Sequence, residues 1–427
     1  GKYLTKQASH TIHFGTIRDD DHKIIDEVLI SLFIAPKSYT GEHIVEVSCH
    51  GSNYIIQQLI QLFIKKGARL AQPGEFTLRA FLNGRMDLSQ AEAVADLVAA
   101  ESESAHKVAL QQMRGGFSNE IKRLREELIH FASMIELELD FGEEDVEFAN
   151  RDDLKQLIIK IQKLIHSLIQ SFQLGNAIKN GVSTVIAGRP NAGKSTLLNA
   201  LLNEERAIVS DIAGTTRDTI EEVLNIKGIQ FRLIDTAGIR EAQDQIEAIG
   251  VEKTMQKIQQ SALLVYLFDV IKTPPEEVRK DLEKLVHPGI QLLVVANKMD
   301  LNPYTKAEHY IIKDSPAHQH ISTSNFIPVS AINQMNIEYL KEKLYEAALS
   351  GKTSLESTVV TNMRHYEALQ KADDSLQSAL QGLNSGITGD FLAMDIRRAL
   401  AYLGEITGEV GVEDLLDNIF SKFCIGK

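Results

Sequence analysis

The stretch that decides the fold is Gly188-Arg189-Pro190-Asn191-Ala192-Gly193-Lys194-Ser195. It fits the spacing G-x-x-x-x-G-K-[ST], and its flanks agree with the chemistry that this spacing serves. The run at 182–187 precedes it and reads as a buried strand; a helical run at 195–202 follows. A glycine-rich loop between strand and helix can turn its backbone N–H groups toward phosphate oxygens, and the helix N-terminus adds partial positive charge. Lys194 is then placed to reach β- and γ-phosphates, and the Ser195 hydroxyl to ligate Mg²⁺.

Working outward, strands at 231–234, 263–269, 292–296 and 326–329 alternate with helical runs to about residue 348. That is the βαβ pattern of an α/β domain with a doubly wound, mostly parallel sheet. Asp235-Thr236-Ala237-Gly238 follows the second strand. Asp235 suits Mg²⁺ through water, and the Gly238 N–H would face the γ-phosphate. Asn297-Lys298-Met299-Asp300 ends the strand at 292–296 and resembles the N-K-x-D signature of GTPases. The Asp300 carboxylate can accept from guanine N1–H and the 2-amino group. Adenine lacks both donors and would leave the carboxylate unpaired, so the ligand is GTP rather than ATP. Lys298 would lie along the base plane. Ser330-Ala331-Ile332 matches the S-A-x loop whose backbone N–H approaches guanine O6. These motifs sit at the C-terminal ends of strands, where such sheets place ligands.

The flanks have another character. Residues 1–88 read as α+β, with strands at 10–17, 28–34 and 43–48 and a helix at 54–65. Residues 89–175 read as helical, with runs at 91–110, 119–139 and 152–172. In the last, Leu154, Leu157, Ile158, Ile161, Leu164, Ile165, Leu168, Ile169 and Phe172 form one apolar stripe. Glu143, Glu144, Asp145 and Glu147 read as a solvated loop, with a metal site the lesser option. From 351 to 427 the chain is helical again. The α/β domain at 181–349 thus reads as an insertion in an all-α domain whose halves are 89–175 and 351–427.

Length and composition set bounds. At roughly 100–200 residues per domain, 427 residues allow two to four domains. Apolar residues at 44% and charged residues at 24% exclude wholesale disorder. The 58 Asp and Glu against 45 Lys and Arg leave a net charge of -13, which argues against a protein that coats nucleic acid on its own. Lys122, Arg123 and Arg125 form a small basic group on one helix, read first as a solvated face and second as a nucleic-acid contact. Cys49 and Cys424 offer neither a disulfide framework nor metal-ligand spacing, which points to a reducing, cytoplasmic setting. No run of 18 apolar residues exists, so no membrane span is expected.

Ser210-Asp211-Ile212-Ala213-Gly214-Thr215-Thr216-Arg217-Asp218 lies between the phosphate loop and the second strand. Its G-T-T-R-D run resembles the first switch of the TrmE–Era–Der GTPases, and by that resemblance Thr216 is the Mg²⁺-binding threonine. Many GTPases place a water-orienting glutamine directly after D-x-x-G. Ile239 stands there and has no polar atom, so Arg240, Glu241, Asp244 and Glu247 are the nearby alternatives. Arg217 and Arg240 are the candidate arginine fingers. A monovalent cation near the phosphates could do the same work, and the Asn191 amide oxygen suits a hard cation.

The whole chain resembles the bacterial tRNA-modification GTPases of the MnmE (TrmE) family. The resemblance rests on Pro73-Gly74-Glu75-Phe76-Thr77, Arg79-Ala80-Phe81-Leu82-Asn83, the nucleotide motifs and the terminal Phe423-Cys424-Ile425-Gly426-Lys427. It implies an N-terminal domain that dimerises and binds 5-formyl- or methylene-tetrahydrofolate, followed by a helical domain carrying the inserted GTPase. It also implies work with the flavoprotein MnmG on C5 of the wobble uridine of certain tRNAs, with K⁺ in place of an arginine finger and GTPase domains that dimerise across their nucleotide faces.

Carried over by position, the GTP-binding set is Asn191, Ala192, Gly193, Lys194, Ser195 and Thr196; Ser210, Asp211, Ile212, Ala213, Gly214, Thr215 and Thr216; Asp235, Thr236, Ala237 and Gly238; Asn297, Lys298 and Asp300; and Ser330, Ala331 and Ile332. Asn191, Ser210, Ile212 and Thr215 would hold K⁺; Ser195, Thr216 and Asp235 would hold Mg²⁺. Glu247 matches the glutamate that orients the attacking water, with Lys194, Thr216 and Gly238 completing the catalytic set. Glu46, Arg85 and Lys427 match folate contacts, Arg85 replacing a common lysine. Cys424 is either a nucleophile on the uridine ring or a pocket-lining thiol. Family members begin with a strand and a glycine-rich segment leading to a folate-contacting arginine. This chain starts downstream, so its folate pocket is expected to lack that first segment. The rival reading is a regulatory GTPase of the Era or Der kind that binds ribosomal RNA or an assembly partner. It would call for a C-terminal RNA-binding module with a G-x-x-G loop or for a second GTPase domain, and neither module is read in the helical stretch 351–427. A third reading, a folate-binding scaffold with a degenerate GTPase, is opposed by intact Lys194, Ser195, Thr216, Asp235 and Asp300.

Overall fold

The computed structural model describes residues 4–140, 151–202, 221–235, 261–287, 289–311, 321–349, 358–385, 389–409, 419–420 and 423. They fold as two compact units, one built from Gly1–Ala99, Ala109–His166 and Glu367–Lys427, the other from Ala100–Val108 and Ser167–Tyr366.

The first unit opens with an antiparallel sheet of order β1-β2-β3, made of β1 (Thr11–Arg18), β2 (Ile24–Phe33) and β3 (Ile44–Ser48). Val28 and Leu32 are its buried apolar positions on β2, against which α1 (Asn53–Lys65) packs. Asp26, also buried, accepts from the His50 backbone N–H at 2.9 Å and pairs with the His50 ring at 2.7 Å. This ties the start of β2 to the segment after β3.

Three features depart from the reading of the sequence. First, residues 75–82, to which the sequence assigns no element, form a helix, α2 (Glu75–Leu82). Glu75 anchors its first turn, accepting from both terminal nitrogens of Arg69 at 2.8 and 2.6 Å, from the Gln72 N–H at 2.8 Å and from Arg79 at 2.7 Å. Gly74 enters the helix at φ +70°, and a Cβ there would stand 2.6 Å from the Phe420 carbonyl oxygen. Phe420 and Phe423 pack with Leu88, Ala91 and Val94, flanked by Leu78 and Phe81. Second, the single helix expected at 91–110 is two, α3 (Leu88–Ala99) and α4 (Glu103–Met113). The Ser102 hydroxyl accepts the Ala105 N–H at 3.1 Å, an N-cap that restarts the helix.

The long helices α5 (Gly116–Asp140) and α6 (Arg151–Asn180) follow, the latter running eight residues beyond the expected 172. On α6, Leu154, Ile158, Ile161 and Ile165 are fully buried, as the apolar stripe requires. After α10 (Met363–Ser385), α11 (Gly389–Thr407) packs on α5. The basic group on α5 is engaged within this unit: Lys122 pairs with Asp87 at 3.0 Å, Arg123 with Glu120 at 3.0 Å, and Arg125 with Glu409. The acidic cluster at 143–147 lies outside the described residues.

The second unit holds a six-stranded sheet of order β5-β6-β4-β7-β8-β9. Its strands are β4 (Val182–Ala187), β5 (Glu221–Ile226), β6 (Ile229–Asp235), β7 (Leu263–Asp269), β8 (Gln291–Asn297) and β9 (Phe326–Pro328). All pairings are parallel except β5 with β6, in keeping with a mostly parallel sheet; the third departure is β5 itself, which the sequence does not predict. That strand is created by a hairpin. Lys227 and Gly228 take φ +50° and +83° between paired Ile226 and Ile229, the geometry of a tight turn with both central residues left-handed. Every residue of β7 is buried. Helices α7 (Lys194–Leu202) and α9 (Ile337–Leu349) share one core cluster through Leu197, Leu201, Leu340 and Leu344. Helix α8 (Pro275–Leu285) packs in another through Val278 and Leu282.

Candidate nucleotide-binding site

The loop between β4 and α7 leaves the middle of the sheet beside β7, and two of its glycines are dictated by space. A Cβ on Gly188 would stand 2.1 Å from the Leu267 carbonyl oxygen. Gly193 has φ +98°, and a Cβ there would meet the Asn297 amide nitrogen at 2.4 Å. Asn191 is also left-handed at φ +63° and exposed, and Ala192 is buried. The Lys194 ammonium donates to the carbonyls of Gly188 at 2.8 Å and Arg189 at 3.1 Å, so it lies inside the loop's curl. Ser195 and Thr196, at the start of α7, are exposed. A curled loop of this kind, lysine within and helix N-terminus beneath, is built to take phosphate oxygens.

The base-reading motifs join this loop through Asn297. Its side-chain amide nitrogen donates to the Ala192 carbonyl at 2.8 Å, and its oxygen accepts the Ala331 N–H at 3.0 Å. Ser330 and Ala331 are buried, while Ile332 stands 75% exposed. The Ser330 hydroxyl donates to Asp300 at 2.6 Å, orienting the exposed carboxylate. Lys298, at φ +67°, sends its ammonium to the buried Asp269 at 2.6 Å. Burial pushes the Asp269 carboxyl up, but Lys298 and the Ile271 and Lys272 N–H groups outweigh it and hold the group below its ordinary range. Asp269 lies opposite Asn297 in the β7–β8 register. Reading the sequence overlooked Asp269; the signal was a carboxylate ending an otherwise apolar strand beside the N-K-x-D strand.

Asp235 ends β6 in register with Ile186, one residue before the end of β4. Its backbone therefore arrives at the same edge as the phosphate loop. The expected contacts at 210–216, Thr236, Ala237, Gly238 and Glu247 lie outside the described residues, as do Cys424 and Lys427.

The expected folate residues fall in the first unit. Arg85 lines a cavity of about 610 Å³ with His10, Phe33, Pro36, Lys37, Ser38 and Tyr39. Glu46 is exposed on β3, paired with Ser31, and is not among those lining residues. Among the described residues no helix is long and apolar enough to cross a membrane.

A mostly parallel sheet, a phosphate loop behind its central strand and a carboxylate positioned by the S-A-x loop define a P-loop protein whose base pocket is cut for guanine. Comparison with known proteins narrows this class. The family model described as the MnmE helical domain matches residues 88–424, and that of the GTP-binding protein TrmE N-terminus matches residues 2–85. A protein of Cytophaga hutchinsonii named tRNA modification GTPase MnmE is 56% identical, with 100% of this chain and 90% of that protein aligned. Its namesake in Christiangramia forsetii is 55% identical over 100% and 91%. An Aquifex aeolicus Era variant bound to GDP.AlF4- is 25% identical over 45% of this chain and 66% of its own, with a TM-score of 0.30. The chain belongs to the MnmE family of tRNA-modification GTPases, and its enzyme class is that of a GTP hydrolase.

Proposed function

We propose that this chain hydrolyses GTP to drive modification at C5 of the wobble uridine of certain tRNAs, adding a carboxymethylaminomethyl or aminomethyl group. It does so as a cytoplasmic homodimer with the flavoprotein MnmG and a one-carbon tetrahydrofolate. The observation that carries the reading is the single side chain of Asn297 bonded to both the phosphate loop and the S-A-x loop. It brings phosphate chemistry and guanine chemistry to one site. The segments 1–88, 89–175, 181–349 and 351–427 are its four working parts.

In this reading Lys194 neutralises charge on the transferring phosphoryl group, and Asp300 selects guanine. Ser195, Asp235 and Thr216 hold Mg²⁺, which when bound supplies further charge neutralisation. Asn191 offers an exposed amide oxygen to K⁺, with Ser210, Ile212 and Thr215 as its companions. Glu247 positions the attacking water, because Ile239 has no atom to do so. Folate use is supported by the cationic and aromatic lining around Arg85, where Lys37, Tyr39 and Phe33 suit an anionic ligand with a flat ring. It is also supported by Phe423, packed into the cluster flanked by Leu78 and Phe81 only four residues before Lys427.

The test is GTP hydrolysis in KCl against NaCl of equal ionic strength, with and without MnmG. Faster turnover in KCl is expected, with further stimulation by the flavoprotein. Equal rates would remove K⁺ from the mechanism, and indifference to MnmG would remove the partner.

A further inference from the structure

Arg189 stands second in the phosphate loop, yet its side chain turns away from the curl. Its guanidinium grips Asp281 on α8, Nε donating to Oδ2 at 2.8 Å and Nη2 to Oδ1 at 3.1 Å. Nη1 donates to Glu277, one turn earlier on the same helix. The Tyr266 hydroxyl, from the buried strand β7, donates to the same Asp281 at 2.7 Å. At its backbone, Arg189 receives the Lys194 ammonium at 3.1 Å and the Ala192 N–H at 3.3 Å on one carbonyl oxygen. One residue therefore ends in two places, a rigid helix and the inside of the phosphate cradle.

The chemistry of the clamp is strong. A planar guanidinium on a carboxylate is the bidentate pair that fixes geometry best. Burial alone would raise the Asp281 carboxyl, but the Arg189 guanidinium and the Tyr266 hydroxyl hold it below its ordinary range, so it stays charged. Burial, then the bond to Asp281, pushes the Tyr266 phenol up, so it remains a donor at any working pH. Neither Asp281 nor Tyr266 has a place in the nucleotide motifs.

We propose that Arg189 is a positioning residue for the GTPase. Its clamp on Asp281, braced by Tyr266, holds the phosphate loop in its nucleotide-ready curl and so sets how long nucleotide stays bound. The proposal rests on the reading of this loop as the GTP site. A loop held in shape before binding pays less ordering entropy on binding. Because the clamp acts on ground and transition states alike, its loss should raise KM and leave kcat nearly unchanged.

The experiment is stopped-flow release of a fluorescent GDP analogue from the full chain, alongside KM, kcat and Tm. The variants are Arg189→Ala, Asp281→Asn, their double, Tyr266→Phe, and Glu283→Gln as an exposed control on the same helix. Each single clamp variant should release GDP about ten-fold faster with a matching rise in KM, the size expected of one charge-assisted pair. The double should release GDP no faster than Arg189→Ala alone, which already removes the Asp281 pair along with the bond to Glu277. Tyr266→Phe should speed release about three-fold, and Glu283→Gln should match wild type. Release within about two-fold of wild type in both singles, or effects that add in the double, overturns the clamp. Should Arg189→Ala fail to fold, Tyr266→Phe decides alone, and a wild-type rate there overturns the proposal. Wild-type protein that binds no GDP would overturn the nucleotide reading itself, an outcome distinct from tight binding with unchanged variants.

Discussion

The side-chain amide of Asn297 donates to the Ala192 carbonyl at 2.8 Å, across 105 residues of chain. Its oxygen simultaneously accepts the Ala331 N–H at 3.0 Å. Asn297 is 3% exposed, so neither bond competes with bulk water. One amide thus fixes the phosphate loop, the N-K-x-D turn and the S-A-x turn relative to each other.

Asn297→Ala should therefore damage both fold and binding. It strands a carbonyl and an N–H, each costing about 1–3 kcal/mol when buried without a partner. A Tm drop of several degrees and at least a ten-fold loss of GDP affinity are expected, by thermal melts and fluorescence titration. Wild-type affinity in a folded variant would show that the three turns hold their places without Asn297.

Asp300→Asn addresses base selection. The carboxylate, oriented by the Ser330 hydroxyl at 2.6 Å, offers two acceptors to guanine, and an amide replaces one with a donor. GTP affinity should fall by about two orders of magnitude, as for a site left with a mismatched polar group. A xanthine nucleotide, which has an oxygen where guanine has the 2-amino group, should gain affinity. Unchanged GTP binding would count against Asp300 as the guanine reader.

Glu247→Ala separates chemistry from binding. If Glu247 positions water in the absence of a glutamine after Gly238, turnover should drop at least ten-fold while GTP affinity stays within about two-fold. Single-turnover hydrolysis and equilibrium titration measure the two. A wild-type rate would move the role to another of the acidic residues at 241–247.

Glu75 makes stability of the first unit depend on pH. Its carboxyl is held down at about 2, first by Arg69, then by the Gln72 N–H and Arg79, against the effect of burial. A carboxyl lowered on folding adds stability that is whole above its ordinary 4.5 and fades as pH falls toward 2. Glu75→Gln should lower Tm by about 2 °C or more at pH 7, with the gap to wild type narrowing markedly by about pH 2.5. Circular-dichroism melts at both pH values check this, and a gap that is equal at both would assign Glu75 a role other than a charged anchor.

Parts of the fold were legible because their cause is local. The strands at 182–187 and 263–269 have the bounds read from sequence, since strands buried on both faces are mostly apolar, with Ser183, Thr184 and Asp269 the polar exceptions here. Helix α2 was not legible. Its eight residues lie between Pro73-Gly74 and Asn83-Gly84, and its support comes from Arg69 and from the cluster with Phe420, far along the chain. Strand β5 begins with two glutamates and owes its existence to the Lys227-Gly228 turn and its pairing with β6. The break at Ser102 turned on one capping hydroxyl within a run of good helix formers.

By itself the sequence determined the class of ligand and the order in which its parts are read. A glycine-rich loop, a lysine and a guanine-matching carboxylate act through local backbone shape and donor pattern, and both are written in contiguous residues. Only the tertiary structure decided which side chains hold those parts in place. Asn297 meets Ala192 across 105 residues, Arg189 meets Asp281 across 92, and Lys298 meets Asp269 across 29. Such partners are chosen by how strands and helices stack around a shared core, and no local spacing encodes that.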